Sequence, residues 1–201
     1  MLQFENTKKI IESKGATIRL DDTNIPISRE MIDYYGKEHN VKILDEVFNF
    51  YHNLNGVEYD WELESEQVSG FINIHSFGEM IENQTEGKLW EDWYEKEDIE
   101  EIKKHRIFET IIGTDYYITI KLEEDGTYKL FYVPEGSVSN GGSKTLQEIP
   151  LTIEQYLNVI SKFYFSHEVR HHLHKKEFYI NPNKVLKNIT QLETIFGEIN
   201  L

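Results

Sequence analysis

At 201 residues the chain has the length of one domain with room for a helical extension, and its 39% hydrophobic and 13% aromatic content is that of a globular protein with a filled core. Thirty-six acidic residues against 21 basic ones give a formal charge of -15, which argues against nucleic acid or an anionic membrane as the main partner and favours a basic one. The absence of cysteine removes disulfides, thiolate metal sites and a cysteine nucleophile, and the lack of a secretory leader or membrane-length apolar run points to a cytoplasmic protein.

In chain order, a helix is expected over residues 2–14, ended by Gly15, and residues 19–25 read as either a strand or a loop before Pro26. Ser28 has the place of an N-cap, with Met31, Ile32 and Tyr35 as the apolar stripe of a helix that stops at His39 and Asn40. The clearest helical period runs over 43–54, where Leu44, Val47, Phe48, Tyr51 and Leu54 share a face and Asn55-Gly56 supplies a left-handed stop. After Gly56 the period switches to two. Val57, Tyr59, Trp61 and Leu63 alternate with Glu58, Asp60, Glu62 and Glu64, predicting a strand that buries one face and shows four carboxylates on the other. Further strands are expected over 70–77, 107–112, 116–122 and 128–133, with a hairpin at Asp125-Gly126. Residues 86–104 read as short surface helical turns and 137–143 as a flexible loop. A long helix after Pro150 takes Ile153, Tyr156, Leu157, Ile160, Phe163 and Tyr164 as its stripe and continues into a His-rich segment, and a last helix covers 185–196. The expected fold is α+β, a single domain with a central antiparallel-rich sheet of about five to six strands packed by N-terminal and C-terminal helices.

The charge is concentrated. From Glu58 to Glu101 stand fifteen acidic residues and two lysines, Lys88 and Lys96, a surface that would steer a positively charged protein to its docking site. Trp90, Trp93 and Tyr94 lie inside this block at i, i+3 and i+4, and large aromatics within a charged rim have the anatomy of a binding hot spot. Glu58, Asp60, Glu62, Glu64, Trp90, Glu91, Asp92 and Trp93 are therefore the candidate partner-binding residues. The competing reading packs the rings back onto the sheet and leaves the carboxylates as solvated charges.

His167-Glu168-Val169-Arg170-His171 matches H-E-x-x-H, in which two histidines one helical turn apart bind zinc and the glutamate activates water. Glu193, 22 residues after His171, could supply the third ligand. A chain rich in histidine and glutamate meets this pattern by chance, the histidines continue the apolar stripe of the preceding helix, and the extended metzincin pattern needs glycine where His174 stands. The segment therefore reads first as structural or surface, with zinc hydrolysis as a minor alternative and no cofactor expected.

Phe50-Tyr51-His52-Asn53-Leu54-Asn55-Gly56, followed by Trp61 and then Gly70-Phe71-Ile72-Asn73-Ile74, resembles the signature stretch of the SUKH superfamily: a helix ending in Asn-Gly, an acidic strand with Trp, and a glycine leading into a second strand. Asp115-Tyr116-Tyr117-Ile118, the Asp125-Gly126 hairpin, Tyr132-Val133-Pro134-Glu135-Gly136 and Leu151-Thr152-Ile153-Glu154-Gln155-Tyr156-Leu157 continue the similarity. It spans residues 27–173, leaving 1–26 as an N-terminal extension and 182–201 as a C-terminal helix. The resemblance implies an α+β domain with Asn55, Gly56, Trp61 and Gly70 as a structural motif. It also implies, as for most bacterial members, a non-enzymatic immunity protein of a polymorphic toxin system that binds and blocks a cognate toxin, often a nuclease. Fungal members regulate cell-wall synthesis, so a regulatory scaffold is the second implication. The chain departs from the pattern in its acidic insert, 82–104, and in its His-rich helix end.

Overall fold

Seven strands hydrogen-bond in sequence order into one antiparallel meander: β1 (Thr17–Thr23), β2 (Val57–Leu63), β3 (Val68–Ile74), β4 (His105–Ile111), β5 (Tyr116–Leu122), β6 (Tyr128–Val133) and β7 (Gln147–Ile149). The computed structural model describes residues 2–82, 104–111, 116–133 and 146–199. The fold is α+β as expected, with a sheet slightly wider than five to six strands. The two edge strands make the difference. β1 has six of its seven residues exposed, so it carries no apolar alternation, and β7 is three residues long.

Nine α-helices lie among the described residues: α1 (Leu2–Ser13), α2 (Arg29–Glu38), α3 (Asp45–Asn53), α4 (Phe77–Glu82), α5 (Ile153–Lys162), α6 (His167–Arg170), α7 (Lys176–Ile180), α8 (Pro182–Val185) and α9 (Ile189–Phe196). α1 buries Phe4, Thr7 and Ile11, one stripe at i, i+3 and i+7, and the Thr7 hydroxyl donates to the Ser161 carbonyl at 3.1 Å, tying α1 to the end of α5. α5 opens with a capping box in which Thr152 accepts from the Gln155 N–H and the Gln155 side chain accepts from the Thr152 N–H. Its buried face, Ile153, Tyr156, Leu157 and Ile160, joins one core with the inward-facing Tyr59, Trp61, Ile72, Ile118, Ile120 and Leu130 of the sheet.

The expected long C-terminal helix is broken. α5 ends at Lys162 because Tyr164 and Phe165 adopt left-handed backbone, φ +54° and +61°, a conformation that bulky residues seldom take. Tertiary contacts hold them there. The Trp61 Nε1 donates to the Tyr164 carbonyl at 2.9 Å, Tyr164 stacks on Phe196 at 4.0 Å, and Phe165 packs on Phe4 and Tyr59. This segment fills a split in the sheet. β3 and β4 pair only at Ile74 and Glu109, and the freed edge of β3 is taken by the Phe165 carbonyl, which accepts from the Phe71 N–H at 3.0 Å, and by Arg170, which donates to the Phe71 carbonyl at 2.8 Å. The last expected helix, 185–196, is α9, which ends at Phe196 as expected but starts only at Ile189, and the short α7 and α8 before it were not foreseen.

Of the four residues of the sequence motif, Trp61 and Gly70 sit at this junction, and Asn55 and Gly56 lie at the other end of β2, beside the chain leaving β3 for α4. Asn55 donates to the Ile25 carbonyl and accepts from the Phe77 N–H, both at 2.9 Å, so it joins the loop before α2 to the start of α4. Gly56 has φ +85° and lies against the Ser76 backbone, where a side chain has no space. At Gly70 a methyl group would overlap both the Tyr164 carbonyl and the Trp61 indole.

Candidate functional site

The outer face of β1–β3 is built by register. Opposed residues of antiparallel strands share a face, and three rows result. Asp22, Glu58 and Asn73 form the first, Leu20, Asp60 and Phe71 the second, and Thr17, Glu62 and Ser69 the third. Asp22 and Leu20 are exposed, and Glu58, Asp60 and Phe71 are half-buried. A β-bulge between Ile18 and Leu20 accommodates Arg19, whose guanidinium pairs with Glu62 and reaches Asp60 at 3.8 Å. Asp22 and Glu58 stand opposite each other, and among the described residues neither has a cationic partner. Direct opposition of like charges destabilises a strand pair, so this corner carries a local penalty beside an exposed leucine and a half-exposed phenylalanine.

Of the expected binding residues, Glu58, Asp60 and Glu62 project from β2 on this face. Glu64 does not: the strand ends at Leu63 and Glu64 opens a short 3₁₀ turn, Glu64–Glu66, because Gln67 takes a left-handed φ of +54° to turn the chain into β3. Glu62 is ion-paired rather than freely solvated. Trp90, Glu91, Asp92 and Trp93 lie outside the described residues, as does the glycine-rich loop 137–143. Asp22 and Leu20 escaped sequence reading because they join the acidic strand only through pairing with β1, a segment open to either a strand or a loop reading, for which the Asp21-Asp22 doublet was the available signal; Phe71 joins it through the β2–β3 register, which strand spacing alone does not give.

The H-E-x-x-H segment has a different role. α6 is a single turn, and His171 is its cap. The His167 and His171 rings are 6.2 Å apart, but the Glu168 carboxylate accepts from the Lys187 N–H at 2.8 Å and the Asn188 N–H at 3.3 Å, holding the chain as it enters α9. Glu193 accepts from the Ile199 N–H at 3.4 Å. Among the described residues no three His, Cys, Asp or Glu side chains converge as a metal site. His171 is hydrogen-bonded through Nδ1 to the Tyr132 hydroxyl, and burial with His167 nearby lowers its pKa. His174 stacks on the Tyr132 ring at 5.7 Å, and burial, with Lys175 adjacent, lowers its pKa to about 4.

Arg170, a variable position of that pattern, is the residue the fold depends on. It is fully buried and donates through Nη1 to the Phe165 and Ser166 carbonyls, at 2.8 and 3.0 Å, and through Nη2 to the Phe71 carbonyl and, at 2.5 Å, to Glu109 Oε1. The Tyr156 hydroxyl donates to the other Glu109 oxygen, and burial together with the Glu109 charge raises the tyrosine pKa well above its ordinary value. The network is closed off from solvent, so it is structural and offers no group to a substrate.

A cavity of about 750 Å³ between α2 and the end of β5 is lined by Arg29, Asp33, Lys37, Lys42, Glu123 and Glu124 among others. Its charges are mixed, and Arg29 is committed to Asp33 and Asp45 at 3.1 and 2.7 Å.

Compared with known proteins, the chain matches no family model and no curated protein. What the geometry defines is a class: an α+β protein with one meander sheet, an outer sheet face carrying unneutralised carboxylates beside apolar side chains, and, among the described residues, no helix long and apolar enough to cross a membrane.

Proposed function

We propose that this chain is a bacterial immunity protein of the SUKH type, acting in the cytoplasm by binding a basic, nuclease-type toxin and blocking it without catalysis. The observation that carries the reading is the unneutralised pairing of Asp22 with Glu58 next to the Leu20–Asp60–Phe71 row. A nuclease must hold phosphate, so its cleft is cationic, and an acidic face with apolar anchors is the complement of such a cleft. The order of Asn55, Gly56, Trp61 and Gly70, each with a packing or backbone role at one end or the other of β2, supports the family likeness. The zinc-hydrolase reading loses support because Glu168 and Glu193 are engaged by backbone N–H groups.

The test is a rescue assay: the neighbouring gene is expressed in a sensitive host with and without this protein. Survival only with both supports immunity, and toxicity without rescue overturns it. With the toxin in hand, Asp22→Lys/Glu58→Lys/Asp60→Lys should slow association by about tenfold or more at low salt, the lower end of the range for electrostatic steering. An unchanged on-rate would show that this face is not the contact.

A further inference from the structure

β1 closes one side of the sheet, and among the described residues its own outer side pairs with nothing: its ladder runs to β2 alone, and no described group hydrogen-bonds the outward backbone of Thr17–Thr23. Six of the seven residues are exposed. A row of free N–H and C=O groups on an accessible strand is a template for another strand. We infer that this edge is a strand-addition site for an extended segment of a partner protein, one with basic and apolar residues in alternation; the inference rests on the acidic-face reading above and specifies how that face is engaged.

The alternation follows from the two sides of the edge. An added strand turns alternate side chains to opposite faces of the sheet. On the outer face they stand beside Leu20 and Asp22, with Glu58 and Asp60 one strand further in, a charge that calls for the long side chains of Lys or Arg reaching inward past Asp22. On the inner side lie Thr23 and Asp21, the latter already paired with Lys8 at 2.5 Å, and beyond the bulge half-buried Ile18, an uncharged or neutralised strip that suits Val or Ile over a further charge. Main-chain hydrogen bonds supply affinity in this mode and the alternating side chains supply selectivity. The bulge at Arg19 interrupts the ladder between Ile18 and Leu20, so the regular run open to a partner is Leu20–Thr23. A second copy of this chain is a poor occupant, because pairing two such edges sets one Asp22–Glu58 corner against another.

The experiment is amide hydrogen exchange on the full chain at low salt with the heptapeptide Lys-Val-Lys-Val-Lys-Val-Lys and with a twin of equal charge whose alternate backbone amides are N-methylated. The expected result is that the unmodified peptide slows exchange at alternate amides of Leu20–Thr23 by about tenfold and the methylated twin does not, since only the former can complete the ladder. Equal binding of both peptides with no change in β1 would overturn strand addition while leaving charge-driven recognition by the acidic face intact. No binding of either would overturn it too, as would concentration-dependent protection of β1 without peptide, which would assign the edge to self-association. Conversely, if Glu58→Lys/Asp60→Lys leaves peptide affinity unchanged while the twin still fails to bind, the edge stands and the acidic-face reading falls.

Discussion

Replacing Arg170 with methionine tests whether the centre of the molecule is held as described. The side chain is fully buried, and methionine fills the stem while donating nothing. Two of the four acceptors are provided for without it: the Phe165 carbonyl keeps the Phe71 N–H, and the Ser166 carbonyl keeps the Val169 N–H. The principal loss is at Glu109, a fully buried carboxylate left with the Tyr156 hydroxyl alone. Removing one partner of a buried pair costs about 3–5 kcal/mol. For a chain of this size each kcal/mol lowers the melting temperature by about 2–4 °C, so Arg170→Met should fall by about 6–20 °C. Urea denaturation followed by far-UV circular dichroism measures the free energy, and a thermal scan measures the shift. The double variant Glu109→Gln/Arg170→Met removes both charges and should regain part of the loss, since an apolar or neutral replacement of a whole ion pair is often tolerated. A loss below about 1 kcal/mol in the single variant, or a double variant no more stable than it, would refute the account.

Gly70→Ala forces a methyl group into the Tyr164 carbonyl and the Trp61 ring, and should destabilise by about 1–3 kcal/mol, seen as a lower urea midpoint with an unchanged slope. His174 resists protonation in the folded chain until about pH 4, whereas the unfolded chain takes up that proton near pH 6.5. Between those values the unfolded state binds more protons, so the contribution is fully present above pH 6.5 and is lost as the pH falls toward 4. His174→Phe keeps a ring against Tyr132 and should show a flatter melting temperature across that window than the parent protein. Asp22→Asn relieves the opposition to Glu58 and should raise stability by about 0.2–1 kcal/mol while weakening capture of a basic partner; a lower urea midpoint would contradict the like-charge argument.

What could be read from sequence follows from where each restraint originates. The strand Val57–Leu63 was legible because one face is buried and the other is not, and the end of α3 was legible because Gly56, at φ +85°, turns the chain within a few residues of Asn53. β1 was ambiguous for the converse reason: an edge strand exposed at nearly every residue has no two-state pattern to read. The break after α5 was invisible. Tyr164 fits the helical stripe, and it leaves the helix through a hydrogen bond from Trp61, 103 residues away, across a glycine whose missing side chain makes room for it. The same distance problem misdirected attention within His167–His171, where the two histidines match a pattern and the residue between them, Arg170, finds its carboxylate 61 positions upstream.

The acidic face was half legible for a related reason. Glu58, Asp60 and Glu62 share one strand, so their common side follows from spacing alone; that Asp22 opposes Glu58, that Leu20 and Phe71 flank Asp60, and that Arg19 removes Glu62 from the free charge all depend on pairing. Those pairings change the argument from composition to energetics. Charge placed for solubility can be spread so that no two carboxylates meet, and the fold does neutralise its buried carboxylate with Arg170 and the Glu62 end of the outer face with Arg19. Leaving Asp22 against Glu58 forgoes stability that a single asparagine would recover, at the edge where backbone groups are also left unpaired. Under the proposed function such a surface, unfavourable in isolation and complementary to a cation, is kept for its bound state, and stability and partner affinity should then move in opposite directions on the same substitution.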